Sequence, residues 1–289
     1  MLGFFCMAFN SFLLAVGDMM AKICMKYTTS LEVIFIRSLM KLLFGYVGCL
    51  CFGQHPLGNV GTRRAIFLRA LLGGLTMVLF LSSLSKLPLF ITNVIFSISP
   101  LLTPVLARII LKEELLIFEV CAVIVSLCGV MVISESRISQ HDNPSVAVEL
   151  LPILFGIVGA LGSSAACILV RKVGTKVHQI VYVFNIGVVS TIFCSVVIAF
   201  RGFVMPRGDM WYLFLSQGLC SSLAASFWTL GLQLAPATPT MVVSLSAALY
   251  TFLIDVYFFN EVPTVLGMYG SMLIIASTIG IVSQRWWRD

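Results

Sequence analysis

Residues 31–52 read LEVIFIRSLMKLLFGYVGCLCF, a stretch that decides the class of fold. A helix needs about 20 apolar residues to cross the hydrocarbon core of a bilayer, so this stretch predicts a membrane-spanning helix. Two cations interrupt it, Arg37 and Lys41, which are four residues apart and therefore share one helical face. Because ionised groups are costly in lipid, their presence predicts a cavity or a partner.

Similar stretches recur along the whole chain. Of its 289 residues, 60% are hydrophobic and 10% are charged, and the mean hydropathy is +1.06. Soluble domains have about 45–50% apolar and about 25% charged residues, so a soluble protein, a disordered chain and a secreted disulfide scaffold are excluded. Apolar runs between charges, glycines and prolines predict ten helices. They cover residues 2–23, 31–52, 65–85, 88–111, 115–134, 149–170, 178–200, 210–232, 236–258 and 263–284.

A polar linker near the middle of the chain suggests an internal repeat. An offset of 148 residues matches Pro88 with Pro236, Thr92 with Thr240 and Glu113 with Glu261. Because five helices are an odd number, the two halves must enter the membrane in opposite orientations, as in many secondary transporters. We therefore predict an all-α polytopic membrane protein with ten transmembrane helices in two inverted five-helix repeats, residues 1–140 and 149–289.

Loop charges orient the predicted helices. With a cytosolic N-terminus, ten Lys and Arg residues lie towards the inner ends of the helices and six towards the outer ends. Short cytosolic loops normally carry the excess of these residues. Both termini are therefore predicted to lie in the cytosol.

Cations inside the spans indicate a ligand site. Lys41 lies too deep in its span to reach the interface comfortably, and together with Arg37 it suits an anion. Arg69 lies about a turn inside the third helix, where either snorkelling or assistance to the site explains it. Asp18 and Lys22 fit an intrahelical ion pair near the outer end of the first helix.

Uncharged polar residues extend this candidate site. At the 148-residue offset, Arg37 and Arg69 correspond to Asn185 and Gln217, so the second half would supply neutral hydrogen-bonding groups. Each such residue also fits a hydrogen bond between packed helices. Further candidates are Asn93, Gln233, Trp228, Tyr250 and Asp255.

Catalytic and cofactor motifs are absent from the sequence. It has no HExxH motif and no Gly-rich phosphate loop, and its nine cysteines include no CxxC pair. We therefore predict no enzyme activity, no metal, no cofactor and no nucleic-acid partner.

Four stretches resemble a known family: FIRSLMKLLF (35–44), FLRALLGGL (67–75), TNVIFSISPLLTPVLARIILKEEL (92–115) and FFNEVPTVLG (258–267). Together with the ten spans, they resemble the EamA-type domains of the drug/metabolite transporter superfamily, and most of all solute carrier family 35, subfamily G. The resemblance implies an alternating-access carrier with a cavity lined by spans one to four and six to nine. Members of the family move nucleotide sugars, nucleotides or organic anions.

The prediction is a secondary transporter for a small organic anion of the carboxylate type, driven by a coupling ion or a counter-substrate. It would act as a monomer or homodimer in the plasma membrane or an endomembrane. The predicted substrate-binding residues are Arg37, Lys41, Arg69, Lys22, Asn93, Asn185, Gln217 and Tyr250. Two alternatives stay open: a nucleotide-sugar or nucleotide antiporter of the Golgi or endoplasmic reticulum, and a non-transporting membrane scaffold or receptor.

Overall fold

The structure is a computed structural model, which describes residues 1–25, 27–58, 61–84, 95–96, 98–112, 117–138, 150–202, 211–258 and 265–286. Within these ranges the regular secondary structure is helical throughout. The helices of the first half are α1 (Leu2–Cys24), α2 (Ser30–Cys51), α3 (Arg63–Leu84), α4 (Ser99–Leu106) and α5 (Ile117–Ile138). Those of the second half are α6 (Leu150–Val173), α7 (Gln179–Arg201), α8 (Trp211–Leu234), α9 (Ala237–Ser244), α10 (Ser246–Phe258) and α11 (Val265–Trp286).

Many of these helices are long enough to cross a membrane. Of the described residues, seven stretches have the necessary length and hydropathy: Leu2–Ala21, Leu31–Cys51, Leu151–Lys176, Gln179–Phe200, Trp211–Leu234, Ala237–Ile254 and Val265–Gln284. Large apolar side chains point outward from the helices, for example Phe200 (88% exposed) and Ile117 (84% exposed). Such faces suit lipid better than water. The protein is a multi-pass integral membrane protein.

The main helix pairs join one half of the chain to the other and run antiparallel. Gly45 in α2 faces Phe184 in α7, and Gly187 in α7 faces Leu42 in α2. A Cβ atom at either glycine would lie 2.5 Å from a backbone atom of the opposite helix, so only glycine permits this close crossing. The other main pairs are α1 with α8, α3 with α6, and α5 with α11.

The ninth predicted span, 236–258, is not one continuous helix. It breaks at Leu245, between α9 and α10. The hydroxyl groups of Ser244 and Ser246 donate to the carbonyls of Met241 and Val243, a local bonding pattern that bends helices. At the break, the hydroxyl group of Ser11 in α1 donates to the Ser244 carbonyl at 3.3 Å.

The fourth predicted span, 88–111, begins outside the described residues. Its described part is α4, followed by a π-helix over Ala107–Leu111 that ends at Lys112 in the left-handed conformation (φ 57°). Proline removes a backbone hydrogen bond from a helix interior, and the chain widens into the π-helix just after Pro104. The remaining predicted spans match the observed helix bounds to within about four residues.

Candidate functional site

Arg69 lies inside the helix bundle, although it is close to the start of α3. Its side chain is 8% exposed, and its guanidinium carbon lies 5.1 Å from the centroid of the Trp228 ring in α8. A cation at this distance is attracted to the face of an indole ring. The Nε atom is buried and has no hydrogen-bond partner among the described residues. Arg69 therefore points inward and does not snorkel to the membrane surface.

Gly73 makes room for this guanidinium. It follows Arg69 by one helical turn, and a Cβ atom built on it would lie 2.6 Å from the Nη1 atom of Arg69. A larger residue would therefore push the guanidinium away from its place. The sequence shows a pair of small residues at this point, and the structure adds a specific reason for one of them.

Tyr182 in α7 belongs to the same region. It is 1% exposed and lies within electrostatic range of Arg69. Its hydroxyl group has no hydrogen-bond partner within the described ranges. A buried hydroxyl without a partner is costly, so this group is a candidate for contact with a ligand.

Arg37 and Lys41 share a face of α2, and Lys41 lies between the level of Arg37 and that of Arg69 in electrostatic terms, because its charge interacts with both. Lys41 lies within electrostatic range of Arg37, Arg69 and Asp18. Arg37 pairs with Asp18 in α1, with 3.3 Å between Nη1 and Oδ1. In the described part of the chain, Lys41 has no hydrogen bond or ion pair. We call Arg37, Lys41 and Arg69 the cation cluster.

Gln217 in α8 is fully buried beside this cluster. Neither its amide nitrogen nor its amide oxygen has a hydrogen-bond partner among the described residues. Its neighbour Gly218 packs on Met40, the residue before Lys41. The backbone carbonyl of Gln217 approaches Gly17, the residue before Asp18. Gln217 therefore lies where α1, α2 and α8 meet.

Gln217 and Trp228 lie on nearly the same face of α8. Eleven residues correspond to about three helical turns, or about 16 Å along the axis. The face therefore extends from the unpartnered amide to the ring that carries Arg69. One face of α8 therefore runs from the depth of Gln217 in the bundle to the depth of Arg69.

Other predicted site residues make contacts elsewhere. The amide nitrogen of Asn185 donates to the carbonyls of Pro56 and Val181, both at 2.8 Å, and so holds the loop after α2 against α7. The Tyr250 ring packs edge-on against Phe12, with 5.8 Å between ring centroids. Gln233 donates to two backbone carbonyls after α6.

Three candidates cannot be located in this way. Asn93 lies outside the described residues, and so do the side chains of Lys22 and Asp255. The roles predicted for Lys22 and Asn93 stay predictions. Asp18, expected to pair with Lys22, makes its described ion pair with Arg37.

Sequence reasoning missed Tyr182. It lies in an apolar run near the start of its span, where a tyrosine usually marks the membrane interface. Only its full burial and its proximity to Arg69 distinguish it from an interfacial residue.

The buried groups of the site are mainly hydrogen-bond donors. Unpartnered donors are the Nε–H groups of Arg37 and Arg69, the hydroxyl of Tyr182 and the amide nitrogen of Gln217. Among the described residues, the Asp18 carboxylate pairs with Arg37 and lies within electrostatic range of Lys41. Such a set is chemically suited to a ligand rich in acceptor oxygens.

Comparisons with known proteins agree with the membrane fold. The EamA-like transporter family model matches two stretches, residues 1–135 and 150–283. Human solute carrier family 35 member G1 is 24% identical over 296 residues, which cover 100% of this chain and 80% of the relative. The pseudopaline exporter CntI of Pseudomonas aeruginosa is 22% identical, over 94% of this chain and 92% of the exporter.

A crystal structure at 16% identity superimposes on 97% of both chains with a TM-score of 0.82, which shows the fold alone. The family matches cover most of the chain. They confirm the resemblance to the drug/metabolite transporters and to solute carrier family 35, subfamily G. The chain therefore belongs to the EamA-like transporter family.

Proposed function

We propose that this transporter moves a small organic anion of the carboxylate type by alternating access. The observation that carries the proposal is the cation cluster, in which Arg69 is buried with an unpartnered Nε atom and Lys41 lies beside it. Cations inside a membrane protein need partners, and an anionic ligand supplies them. Lys41, which lies within electrostatic range of both arginines, is the central contact for the anion, with Arg37 and Gln217 towards one end of the site and Arg69 and Tyr182 towards the other.

The proposed architecture is ten helices in two inverted repeats, residues 1–140 and 149–289. If each helix is replaced by its counterpart in the other half, the observed helix pairs are reproduced. The pair of α1 and α8 becomes that of α6 and α3, and the pair of α2 and α8 becomes that of α7 and α3. The pairs α2 with α7 and α5 with α11 map onto themselves. Two separate matches to one family model support the same repeat.

The distribution of the site residues over both halves of the chain supports alternating access. The cation cluster takes Arg37, Lys41 and Arg69 from the first half, whereas Tyr182, Gln217 and Trp228 come from the second half. When the halves rock against each other, a site between them opens to one side at a time. The excess of Lys and Arg towards the inner helix ends supports a cytosolic position for both termini, in a protein of the plasma membrane or an endomembrane.

A nucleotide sugar is a weaker candidate than a compact anion. A nucleobase needs an aromatic face for stacking, and Arg69 covers one face of Trp228. A scaffold or receptor has no need of unpartnered cations inside its bundle. The following experiment distinguishes both alternatives from the proposed function.

The test is uptake into proteoliposomes of lactate, succinate, citrate, inorganic phosphate and UDP-galactose, each labelled. We expect flux of at least one organic acid, and a fall of roughly 10-fold or more in Arg69→Ala and Lys41→Ala, because a hydrogen bond to a charged group contributes about 1.5–3 kcal/mol. Lys172→Ala, at an exposed cation near the end of α6, is the matched control and should keep wild-type flux.

Undiminished flux in both cluster variants would remove the cluster from the binding role. Flux of UDP-galactose without that of the organic acids would favour the antiporter alternative. No flux of any compound on the panel would overturn the proposal.

A further inference from the structure

The ion pair between Asp18 and Arg37 is weak by its geometry. One oxygen meets one nitrogen at 3.3 Å, whereas charge-assisted N–H···O bonds are usually about 2.7–2.9 Å long. The Asp18 side chain is 57% exposed and that of Arg37 is 21% exposed. An exposed single contact of this kind contributes little to stability. It can therefore open at low cost.

The two ends of the Arg37 guanidinium group have different surroundings. Its Nη1 atom faces the exposed Asp18 carboxylate, while its Nε atom is buried and unpartnered within the described structure. A planar guanidinium binds a carboxylate best through two parallel N–H···O bonds. Asp18 contacts only one nitrogen of this group, so a second anion can accept hydrogen bonds from the remaining N–H donors of the Arg37 guanidinium.

Asp18 also acts on Lys41. The amine lies within electrostatic range of the Asp18 carboxylate as well as of Arg37 and Arg69. A negative charge there compensates part of the cluster while no ligand is bound. The same charge opposes an incoming anion.

We infer that Asp18 is a built-in competitor for the anion site, occupying Arg37 in the empty transporter and giving it up when a substrate anion binds. This inference rests on the proposed function. Asp18 thereby weakens substrate binding and eases substrate release, because its carboxylate is always present to take the place of the departing anion. It sets the affinity of the site without being needed to hold the substrate.

The test is the Michaelis constant of the fastest organic acid on the uptake panel. In Asp18→Asn the KM should fall by about 2- to 5-fold, the range expected from the loss of one exposed ion pair. Asp142→Asn, which removes a charge from the polar linker between the two halves, is the matched control and should keep the wild-type KM. Asp18→Glu keeps a competing carboxylate and should stay close to wild type.

A second background separates competition from a general charge effect. In Arg37→Gln, which has lost the contested guanidinium, adding Asp18→Asn should lower KM by less than it does in the wild-type background, because only the effect of the Asp18 charge on Lys41 and on the anion is left. An unchanged or raised KM in the single Asp18→Asn variant, with wild-type flux intact, would overturn the inference while leaving the proposed function standing. If the wild-type protein transports no panel anion, the proposed function itself fails, and the inference fails with it.

Discussion

Polar groups inside this membrane protein occur in two kinds of region. At some contacts between packed helices they are satisfied: the hydroxyls of Ser126 and Ser277 join α5 to α11 at 2.6 Å. The Gln233 amide nitrogen likewise donates to the carbonyls of Gly174 and Val177, both at 2.8 Å. In and near the cation cluster, five buried atoms, in Arg37, Arg69, Tyr182 and Gln217, have no partner among the described residues, whereas three such atoms lie elsewhere, in Thr28, Thr191 and Gln284.

On the proposed function, this difference distinguishes structural polar groups from groups available to a ligand. Hydrocarbon offers no hydrogen bonds, so a polar side chain with a purely structural role finds its partner inside the protein. A binding site must keep donors free and tolerate their cost until the ligand arrives. The two glutamines of α8, Gln217 and Gln233, represent the two regions on a single helix.

The largest expected effect concerns the satisfied glutamine. Gln233→Met should lower the free energy of unfolding by about 2–3 kcal/mol, because two backbone carbonyls lose their donor. Equilibrium unfolding in mixed detergent micelles measures this change. Gln54→Met, at an exposed glutamine with one bond to the Phe52 carbonyl, should stay within about 0.5 kcal/mol of wild type. Equal stability of both variants would contradict a structural role for Gln233.

The matched substitution in the cation region should have the opposite sign. Gln217→Met removes an unpartnered amide of similar size and should raise the free energy of unfolding by about 1 kcal/mol. It should also weaken the stabilisation that a transported anion confers in a thermal-shift assay. A loss of stability would show that the Gln217 amide is satisfied in the membrane, and the comparison between the two regions would not hold.

The smallest expected effect is at the serine seam. A double-mutant cycle of Ser126→Ala and Ser277→Ala should give a coupling energy of about 0.6 kcal/mol, as for other hydrogen bonds between transmembrane helices. The same unfolding assay measures it, and transport per folded protein should not change. A coupling near zero would mean that the two hydroxyls each find other partners when separated.

Much of the fold could be predicted from the sequence. Helix bounds follow from hydropathy and length, which are local properties, and the bounds predicted for α1, α2 and α7 differ from the observed ones by about one residue. The ninth predicted span agrees with one candidate span, Ala237–Ile254, and the one-residue interruption of its helix at Leu245 was not predicted, because it accompanies serine hydroxyls bonding to nearby carbonyls and a serine of another helix.

Less of the candidate site could be predicted. Arg37, Lys41 and Arg69 were identified because a cation in an apolar run is conspicuous. Asn185 was predicted to orient a ligand, but its amide nitrogen holds the loop after α2. Tyr182 was missed, since a tyrosine near the end of a span is ordinary.

By itself, the sequence determined the membrane environment, the approximate helix bounds and the presence of cations within predicted spans, Arg37, Lys41 and Arg69 among them. These follow from the cost of moving each side chain into lipid, which every residue experiences separately. Tertiary structure decided which polar groups meet, such as Arg37 with Asp18 and Arg69 with Trp228. It also decided that the Gln217 amide has no described partner. Those outcomes depend on how far helices from opposite halves approach and at which register they cross, and the glycines at each crossing control both.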